Sequence, residues 1–317
     1  MSKSNISRRT FLQSTVAGIA STSLPASSYS ANLPTTPMRL GGPIFTNSDD
    51  PAVLAEAHKS LGYRAAYTPD ISLNDKDMIF SITKEFQNRD IAIAEVGAWV
   101  NMLDPDNVKR KKNMNYVTQR MALAEELGAR CCVAIAGSFN RKTWYGPHPE
   151  NFSSHFFEAT VENARKIIDA VKPTQTTFSI EMMGWCYPSS PDEYLRLIRA
   201  IDRKTFGVHM DICNIINSPS RIYKNPDVIK ESFRKLGPWI VSCHAKDVAW
   251  EVGLQVHFKE VIPGRGEVSY KTYLSELSKL PVDAPLMLEH LKTAKEYSEG
   301  RQHIQGIAKS LGLSFGT

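Results

Sequence analysis

The sequence contains few cysteines, and these are not arranged as a disulfide framework. Its 317 residues include five cysteines, an odd number, and Cys131 and Cys132 are adjacent. Four of the five lie in apolar runs that are typical of buried strands. Free cysteines in such surroundings behave as small hydrophobic side chains. We therefore expect buried free thiols and no fold that depends on disulfide bonds.

Long apolar segments and a strong charge of one sign are also missing. After the first 30 residues no apolar run approaches the length of about 20 residues that a membrane-spanning helix needs. The formal net charge is only +5, and the basic run KRKK at 109–112 lies in a segment with helical spacing, which is typical of a solvent-facing helix surface. We therefore expect neither a membrane span nor a nucleic-acid partner.

The N-terminal region has the layout of an export signal. SRRTFLQ at 7–13 precedes STVAGIASTSLPASS, and this order of charged, apolar and small residues is that of a secretory leader. SRRTFLQ resembles the twin-arginine export motif, which implies export of the folded protein to the periplasm by the twin-arginine machinery. We expect a signal peptide at 1–31, no membrane insertion of the mature chain, and one folded domain at 38–317.

Short apolar runs alternate with amphipathic, helix-like stretches through the rest of the chain. Strand–helix alternation predicts parallel strands joined by right-handed crossovers, and eight repeats predict a single-domain α/β fold, the (β/α)₈ TIM barrel. The alternative is an open doubly wound sheet, but no GxGxxG motif follows the first strand. The predicted strands lie at 38–45, 63–68, 91–99, 130–137, 177–183, 206–212, 240–248 and 285–291.

Ionisable side chains fall near the carboxyl ends of five predicted strands, which form the catalytic face of a (β/α)₈ barrel. In an apolar core such groups are costly unless they are paired, and a bound divalent cation would pair them. Three carboxylates and one imidazole suit Mn²⁺ or Co²⁺, with Mg²⁺ and Zn²⁺ as alternatives. The predicted ligands are Glu181, Asp211, His244 and Glu289.

Five short motifs are similar to those of a known superfamily. SIEMM, HMDICN, CHAKDV, IPGRGEVSY and LMLEH resemble motifs of the xylose-isomerase-like TIM-barrel superfamily of sugar isomerases and epimerases. The resemblance covers almost the whole chain after the leader, and it implies the same four metal ligands and a homo-oligomer. Asn214 departs from the pattern, because ketose 3-epimerases and endonuclease IV have histidine there. This departure argues against DNA cleavage.

The chemistry that these residues predict is proton abstraction next to a carbonyl through a metal-stabilised enediolate. Glu181 and Glu289 are the predicted catalytic acid and base on opposite faces of a small carbohydrate substrate. Such residues would serve an isomerase or epimerase of a sugar or keto-sugar. The alternatives are a lyase, hydrolase or dehydratase of an oxidised sugar or glycoside, and a non-catalytic sugar-binding barrel.

Further polar and aromatic residues near the strand ends are candidates for substrate binding. Arg265 lies between two glycines that permit a tight loop, and the two tryptophans could stack on a sugar face. The others could hold hydroxyl or carbonyl oxygens. The predicted substrate-binding residues are Glu95, Trp99, Trp185, His209, Asn214, Lys246 and Arg265.

Overall fold

The computed structural model describes residues 37–316, and eight parallel strands in this part of the chain form a closed barrel. Around the barrel the strands follow one another in chain order, and the last strand pairs with the first, so the predicted (β/α)₈ barrel is confirmed. The predicted signal peptide at 1–31 lies outside the described residues. The strands are β1 (Arg39–Gly41), β2 (Ala65–Tyr67), β3 (Ala92–Gly97), β4 (Cys131–Ala134), β5 (Thr177–Glu181), β6 (Phe206–Met210), β7 (Ile240–Ala245), β8 (Asp247–Glu251), β9 (His257–Val261) and β10 (Pro285–Leu288), of which β8 and β9 lie outside the barrel.

Ten α-helices in the described part of the chain connect the strands, and the longer ones pack side by side around the barrel. None of these helices combines the length and apolarity that crossing a membrane requires. The helices are α1 (Pro51–Ser60), α2 (Lys76–Asn88), α3 (Asn107–Leu127), α4 (Ser154–Val171), α5 (Pro191–Ile201), α6 (Ile212–Ile215), α7 (Pro219–Tyr223), α8 (Asn225–Leu236), α9 (Tyr270–Leu277) and α10 (Ala294–Ser310).

Helix boundaries follow from local capping. The side chain of Ser190 caps α5 by accepting a hydrogen bond from the backbone N–H of Glu193. Pro191 occupies the first turn, where a backbone N–H would have no partner within the helix. At the other end of α3, Gly128 adopts the left-handed conformation with φ 61° and closes the helix. Both signals can be read in the sequence, as the Ser-Pro-Asp-Glu segment at 190–193 and the glycine at 128.

The core has two parts, one between the barrel and its helices and one inside the barrel. Large side chains such as Phe178 and Phe206 point outward from the strands and pack under the helices. Inside the barrel a small cluster of Ala65, Ala94 and Met287 is apolar, and polar side chains fill the remaining interior. All five cysteines are free and four are buried, as expected.

The sequence prediction missed an antiparallel hairpin formed by β8 and β9. The predicted strand at 240–248 is two strands, because β7 ends at Ala245 and β8 begins at Asp247. Trp250 of β8 lies opposite Phe258 of β9, and their rings are 5.0 Å apart. The hairpin follows the carboxyl end of β7, so it extends from the same end of the barrel as the predicted site.

Candidate metal centre

Four strands bring the predicted ligands together at the carboxyl end of the barrel. Glu181 is the last residue of β5, Asp211 directly follows β6, His244 lies in β7, and Glu289 directly follows β10. The Nδ1 atom of His244 is 3.1 Å from Glu181 Oε1 and 3.3 Å from Asp211 Oδ2. The same nitrogen is 2.9 Å from Glu289 Oε2. Three carboxylates therefore converge on one imidazole nitrogen.

The donor set fits a divalent cation. One ligand atom from each of the four residues lies within 4.8 Å of all the others, and carboxylate oxygens with one imidazole nitrogen suit Mn²⁺, Co²⁺, Mg²⁺ or Zn²⁺. The Oε2 atom of Glu289 is buried and accepts no well-directed hydrogen bond from the residues that the structure describes. His244 and Lys246 lie close to this oxygen, but their N–H groups do not point at it as a hydrogen bond requires. A bound cation would therefore coordinate this oxygen better than these donors do.

The protonation of the cluster is governed by burial and by mutual charge. Burial opposes ionisation of Asp211, but the Lys246 ammonium and His244 hold the pKa of this carboxyl well below its ordinary value. Glu289 is only partly buried; burial again opposes ionisation, but His244 followed by Lys246 lowers its pKa to about 2. Glu181 differs, because burial raises its pKa despite the same neighbours. Glu181 is thus the carboxyl of the cluster most able to carry a proton.

A second buried network lies behind His244. The Nε2 atom of His244 is 3.2 Å from Glu95 Oε2, and Glu95 Oε1 is 2.9 Å from His209 Nε2 and 2.5 Å from Ser242 Oγ. His209 and Glu95 are almost completely enclosed, at 0% and 1% exposure. Their substrate-binding role stays a prediction, while the observed contacts make both residues supports for His244. Ser242 was missed, although its position two residues before His244 places it on the same strand face.

Asn214 and Lys246 both contact the carboxylates. The Nδ2 atom of Asn214 donates to Glu181 Oε1 at 3.1 Å and to the carbonyl oxygen of Met182 at 3.0 Å. The Nζ atom of Lys246 is 2.8 Å from Asp211 Oδ2 and 2.7 Å from Glu289 Oε2. These two predicted substrate-binding residues therefore lie at the cluster.

Arg265 lies apart from the cluster. Its guanidinium pairs with Glu299 on α10, with Nε 2.6 Å from Oε1, and its side chain is mostly exposed. The surrounding loop is instead organised by Asp247, whose carboxylate accepts from the backbone N–H groups of Gly264 and Gly266. Substrate contact by Arg265 stays a prediction, and its side chain would first have to leave Glu299.

Trp99 and Trp185 follow β3 and β5, so they lie at the same end of the barrel as the cluster. Their side chains are partly exposed, at 39% and 52%. The carbonyl oxygen of Trp185 accepts a hydrogen bond from Asn151, which is itself fully buried and also bonds Ser138. This hydrogen bond ties the Trp185 backbone to a buried side chain, while the rings of Trp99 and Trp185 stay partly exposed.

Known proteins share this architecture. The family described as Xylose isomerase-like TIM barrel matches residues 56–307. A xylose isomerase-like TIM barrel protein from Mycobacterium smegmatis, solved in complex with magnesium, is 16% identical with a TM-score of 0.61, covering 86% of this chain and 97% of that one. Endonuclease IV from Thermus thermophilus is 14% identical with a TM-score of 0.65, covering 86% of this chain and 100% of that one.

A third similar structure is D-psicose 3-epimerase with D-tagatose from Clostridium cellulolyticum, at 14% identity and a TM-score of 0.61, covering 87% of this chain and 100% of that one. No protein with a curated description matches the sequence significantly. At these identities the structures establish the fold alone, whereas the family match spans most of the chain. The chain therefore belongs to the xylose isomerase-like TIM barrel family.

Proposed function

We propose that this protein is a metal-dependent isomerase or epimerase of a small sugar or keto-sugar. The observation that carries the proposal is the convergence of Glu181 and Glu289 on one imidazole nitrogen at the catalytic end of the barrel. A divalent cation held there, which we propose to be Mn²⁺ or Co²⁺ with Mg²⁺ or Zn²⁺ as alternatives, would act as a Lewis acid on the substrate's carbonyl oxygen.

The chain's own groups supply the proton transfers in this proposal. Burial raises the pKa of Glu181 in the protein without a metal ion, and a carboxylate oxygen of Glu181 that is not bonded to the cation would take and return the proton. Asn214 donates to Glu181 Oε1 and so holds the orientation of this carboxylate. Glu289 approaches from another strand and remains ionised. One of these two carboxylates would remove a proton from a substrate carbon, and the other would deliver a proton at a second position.

The test is exchange of carbon-bound substrate hydrogen with deuterated water. Metal-free protein reloaded with Mn²⁺ or Co²⁺ is incubated with a panel of keto-sugars, including D-fructose and D-tagatose, and mass spectrometry follows deuterium uptake. We expect uptake without bond cleavage, and its loss in Glu181→Gln and Glu289→Gln. Glu162→Gln, which alters only an exposed ion pair with Lys166 on α4, is the matched control.

Other outcomes are equally decisive. Release of water or of an aglycone would replace the proposal with the lyase or dehydratase alternative. Absence of exchange and of turnover with every sugar, in protein shown to hold metal, would overturn it. Exchange that survives in both glutamate variants would remove these residues from the catalytic step.

We propose in addition that the protein is exported to the periplasm through the twin-arginine machinery. Arg8 and Arg9 in SRRTFLQ support this proposal. Fractionation of cells that express the full chain tests it: we expect periplasmic protein from the parent and cytoplasmic retention when both arginines are replaced by lysine. Equal periplasmic yields would contradict it. The homo-oligomer stays a prediction.

A further inference from the structure

Lys246 occupies an unusual place, because its ammonium group contacts the same three oxygens that face His244. Nζ lies 2.8 Å from Asp211 Oδ2, 2.7 Å from Glu289 Oε2 and 3.6 Å from Glu181 Oε1. The Nδ1 atom of His244 faces these three atoms from 2.9 to 3.3 Å. A cation of the protein itself therefore lies among the oxygens that a divalent ion would need.

Hydrogen bonds fix the backbone on both sides of Lys246, whereas the long side chain contains several rotatable bonds. The Lys246 carbonyl oxygen accepts from Tyr270 Oη at 2.9 Å, and the His244 carbonyl oxygen accepts from Tyr273 Oη at 2.9 Å. The next residue, Asp247, is tied by hydrogen bonds from loop backbone N–H groups. Four flexible carbons separate this fixed backbone from Nζ, so the ammonium can change position without movement of β7.

Charge balance explains why the lysine points inward. The cluster gathers two buried carboxyl groups and the partly buried Glu289, and buried carboxylates without a counter-charge strongly destabilise a folded protein. Lys246 is itself only 4% exposed, and its ammonium lies within 3.6 Å of all three carboxylates. Without a metal ion, the lysine thus supplies a positive charge that the cluster requires.

A divalent ion and this ammonium cannot both keep their best positions. Metal–oxygen bonds are about 2.0–2.2 Å long, so an ion bonded to the oxygens that Nζ now contacts would lie within about 5 Å of the ammonium. Repulsion between the two cations is strong at that separation, since the site is buried. Binding of the ion therefore favours movement of Nζ away from these oxygens.

We propose that Lys246 is a built-in counter-cation, which neutralises the carboxylates in the metal-free protein and is displaced from them when the divalent cation binds. Lys246 then restrains metal affinity, while it stabilises the metal-free fold. The displaced ammonium becomes free to meet an oxygen of the substrate. This inference rests on the metal binding in the proposed function and is independent of the reaction.

The main test compares the parent protein with Lys246→Met in calorimetric titrations of Mn²⁺ into metal-free protein. Because methionine is unbranched and only one atom shorter than lysine but carries no charge, we expect Mn²⁺ to bind the variant about tenfold more tightly or better. We also expect a lower metal-free Tm and a larger rise of Tm with Mn²⁺. Lys279→Met is the control, since it removes a lysine that pairs with Glu276 on the surface.

Equal or weaker Mn²⁺ affinity in Lys246→Met, with both proteins folded, would overturn the inference and leave the metal centre intact. Absence of Mn²⁺ binding by either protein would overturn both this inference and the proposed metal centre. A second measurement uses the parent protein alone, in case the variant does not fold. Reductive methylation of Lys246, quantified by mass spectrometry against Lys279, should increase when Mn²⁺ is added. Unchanged or decreased labelling would contradict displacement.

Discussion

Glu95 is an enclosed side chain that contacts the predicted metal ligand His244 but is not itself a predicted ligand. It contacts the Nε2 atom of His244, whereas Nδ1 of the same ring faces the three carboxylates. A carboxylate on the far nitrogen of a ligating imidazole fixes the ring orientation and the tautomer, and it makes the ligating nitrogen more basic. His209 and Ser242 in turn hold Glu95 in position.

We therefore predict that Glu95→Gln weakens metal binding without removing a ligand. The amide keeps the size of the side chain but loses its charge, so we expect the affinity for Mn²⁺ to fall by about 10–100-fold. Titration calorimetry measures this loss, and Glu85→Gln, which alters an ion pair on α2, is the control. A Glu95→Gln protein that is folded and binds Mn²⁺ as the parent does would contradict the role of Glu95.

His209 and Asp211 illustrate what the sequence could and could not specify at the scale of single residues. Their spacing of two places both on the inner face of β6, as the strand period requires. The period indicates the face but carries no information on depth along the barrel axis. Asp211 follows the strand and reaches the cluster, whereas His209 is paired in register with Glu181 inside the barrel and turns to Glu95. The convergence of the four predicted ligands was therefore predictable, but the division of contacts between His209 and Asp211 was not.

At the scale of elements, the loop between β9 and α9 is held to β8 by one carboxylate. Asp247 Oδ2 accepts from the N–H groups of Gly264 and Gly266, and Oδ1 accepts from Val248 and Val268. Gly266 approaches this carboxylate so closely that a Cβ atom there would lie 2.3 Å from Asp247 Oδ1 and 2.6 Å from the carbonyl oxygen of Val248. The glycine is thus required for close approach of the loop to β8.

We predict that Gly266→Ala is destabilising. The added methyl group must push the loop away from Asp247 and Val248, so we expect a loss of about 1–3 kcal/mol in the free energy of unfolding, as for other overpacked sites. Urea unfolding measures it. Gly306→Ala on α10, where a Cβ would meet no atom within 4 Å, is the control and should be neutral or stabilising. Equal stabilities of the two variants would contradict the account of the loop.

The hairpin of β8 and β9 and the direction of Arg265 escaped prediction for a shared physical reason. The strands of the hairpin pair only with each other, and one of them, HFKEV at 257–261, is mostly exposed. Without a buried face there is no strong apolar period to recognise. Arg265 turns toward Glu299, which is 34 residues away in sequence. A local sequence pattern cannot predict a contact over that separation. The eight barrel strands were predictable because each contributes an apolar run to a common core.

At the scale of the whole molecule, the two ends of the barrel carry different groups of charged residues. The carboxyl end holds the candidate metal centre, while the opposite end is joined by a network of arginines and aspartates that precede or begin the strands. Arg39 pairs with Asp90 at 2.8 Å and with Asp283 at 2.5 Å, and Arg64 and Arg130 complete the network. The network connects the starts of β1, β2, β3, β4 and β10, so it helps to close the barrel.

The outer part of this network should make stability depend on pH. Burial is the largest single effect on Asp90 and opposes its ionisation, but Arg39 and Arg64 together outweigh it and lower the pKa below the ordinary 3.8. A depressed carboxyl pKa adds stability that is present above the ordinary value and is lost as the pH falls below it.

We predict that Asp90→Asn costs at most about 1 kcal/mol at pH 7, because the carboxylate is largely exposed to solvent. Asparagine tolerates the positive φ of 56° at this position, so no backbone strain is added. The difference in the free energy of unfolding between parent and variant should become smaller at a pH below 3.8, the ordinary pKa of the carboxyl. Urea unfolding at pH 7 and at pH 3 measures this difference. A difference that is constant across this range would contradict the assignment.

Asp283 is the more important carboxylate of this network, because its side chain is only 16% exposed and it binds two arginines. Replacement by asparagine leaves Arg39, itself only 11% exposed, without its closest anion. We predict a loss of about 2 kcal/mol in the free energy of unfolding, between the effects expected for surface and for buried ion pairs. Affinity for Mn²⁺ should not change, since the cluster lies at the opposite end of the barrel. Chemical unfolding and calorimetric titration of Asp283→Asn measure the two quantities, and a variant that loses metal affinity while keeping its stability would contradict this division of the barrel.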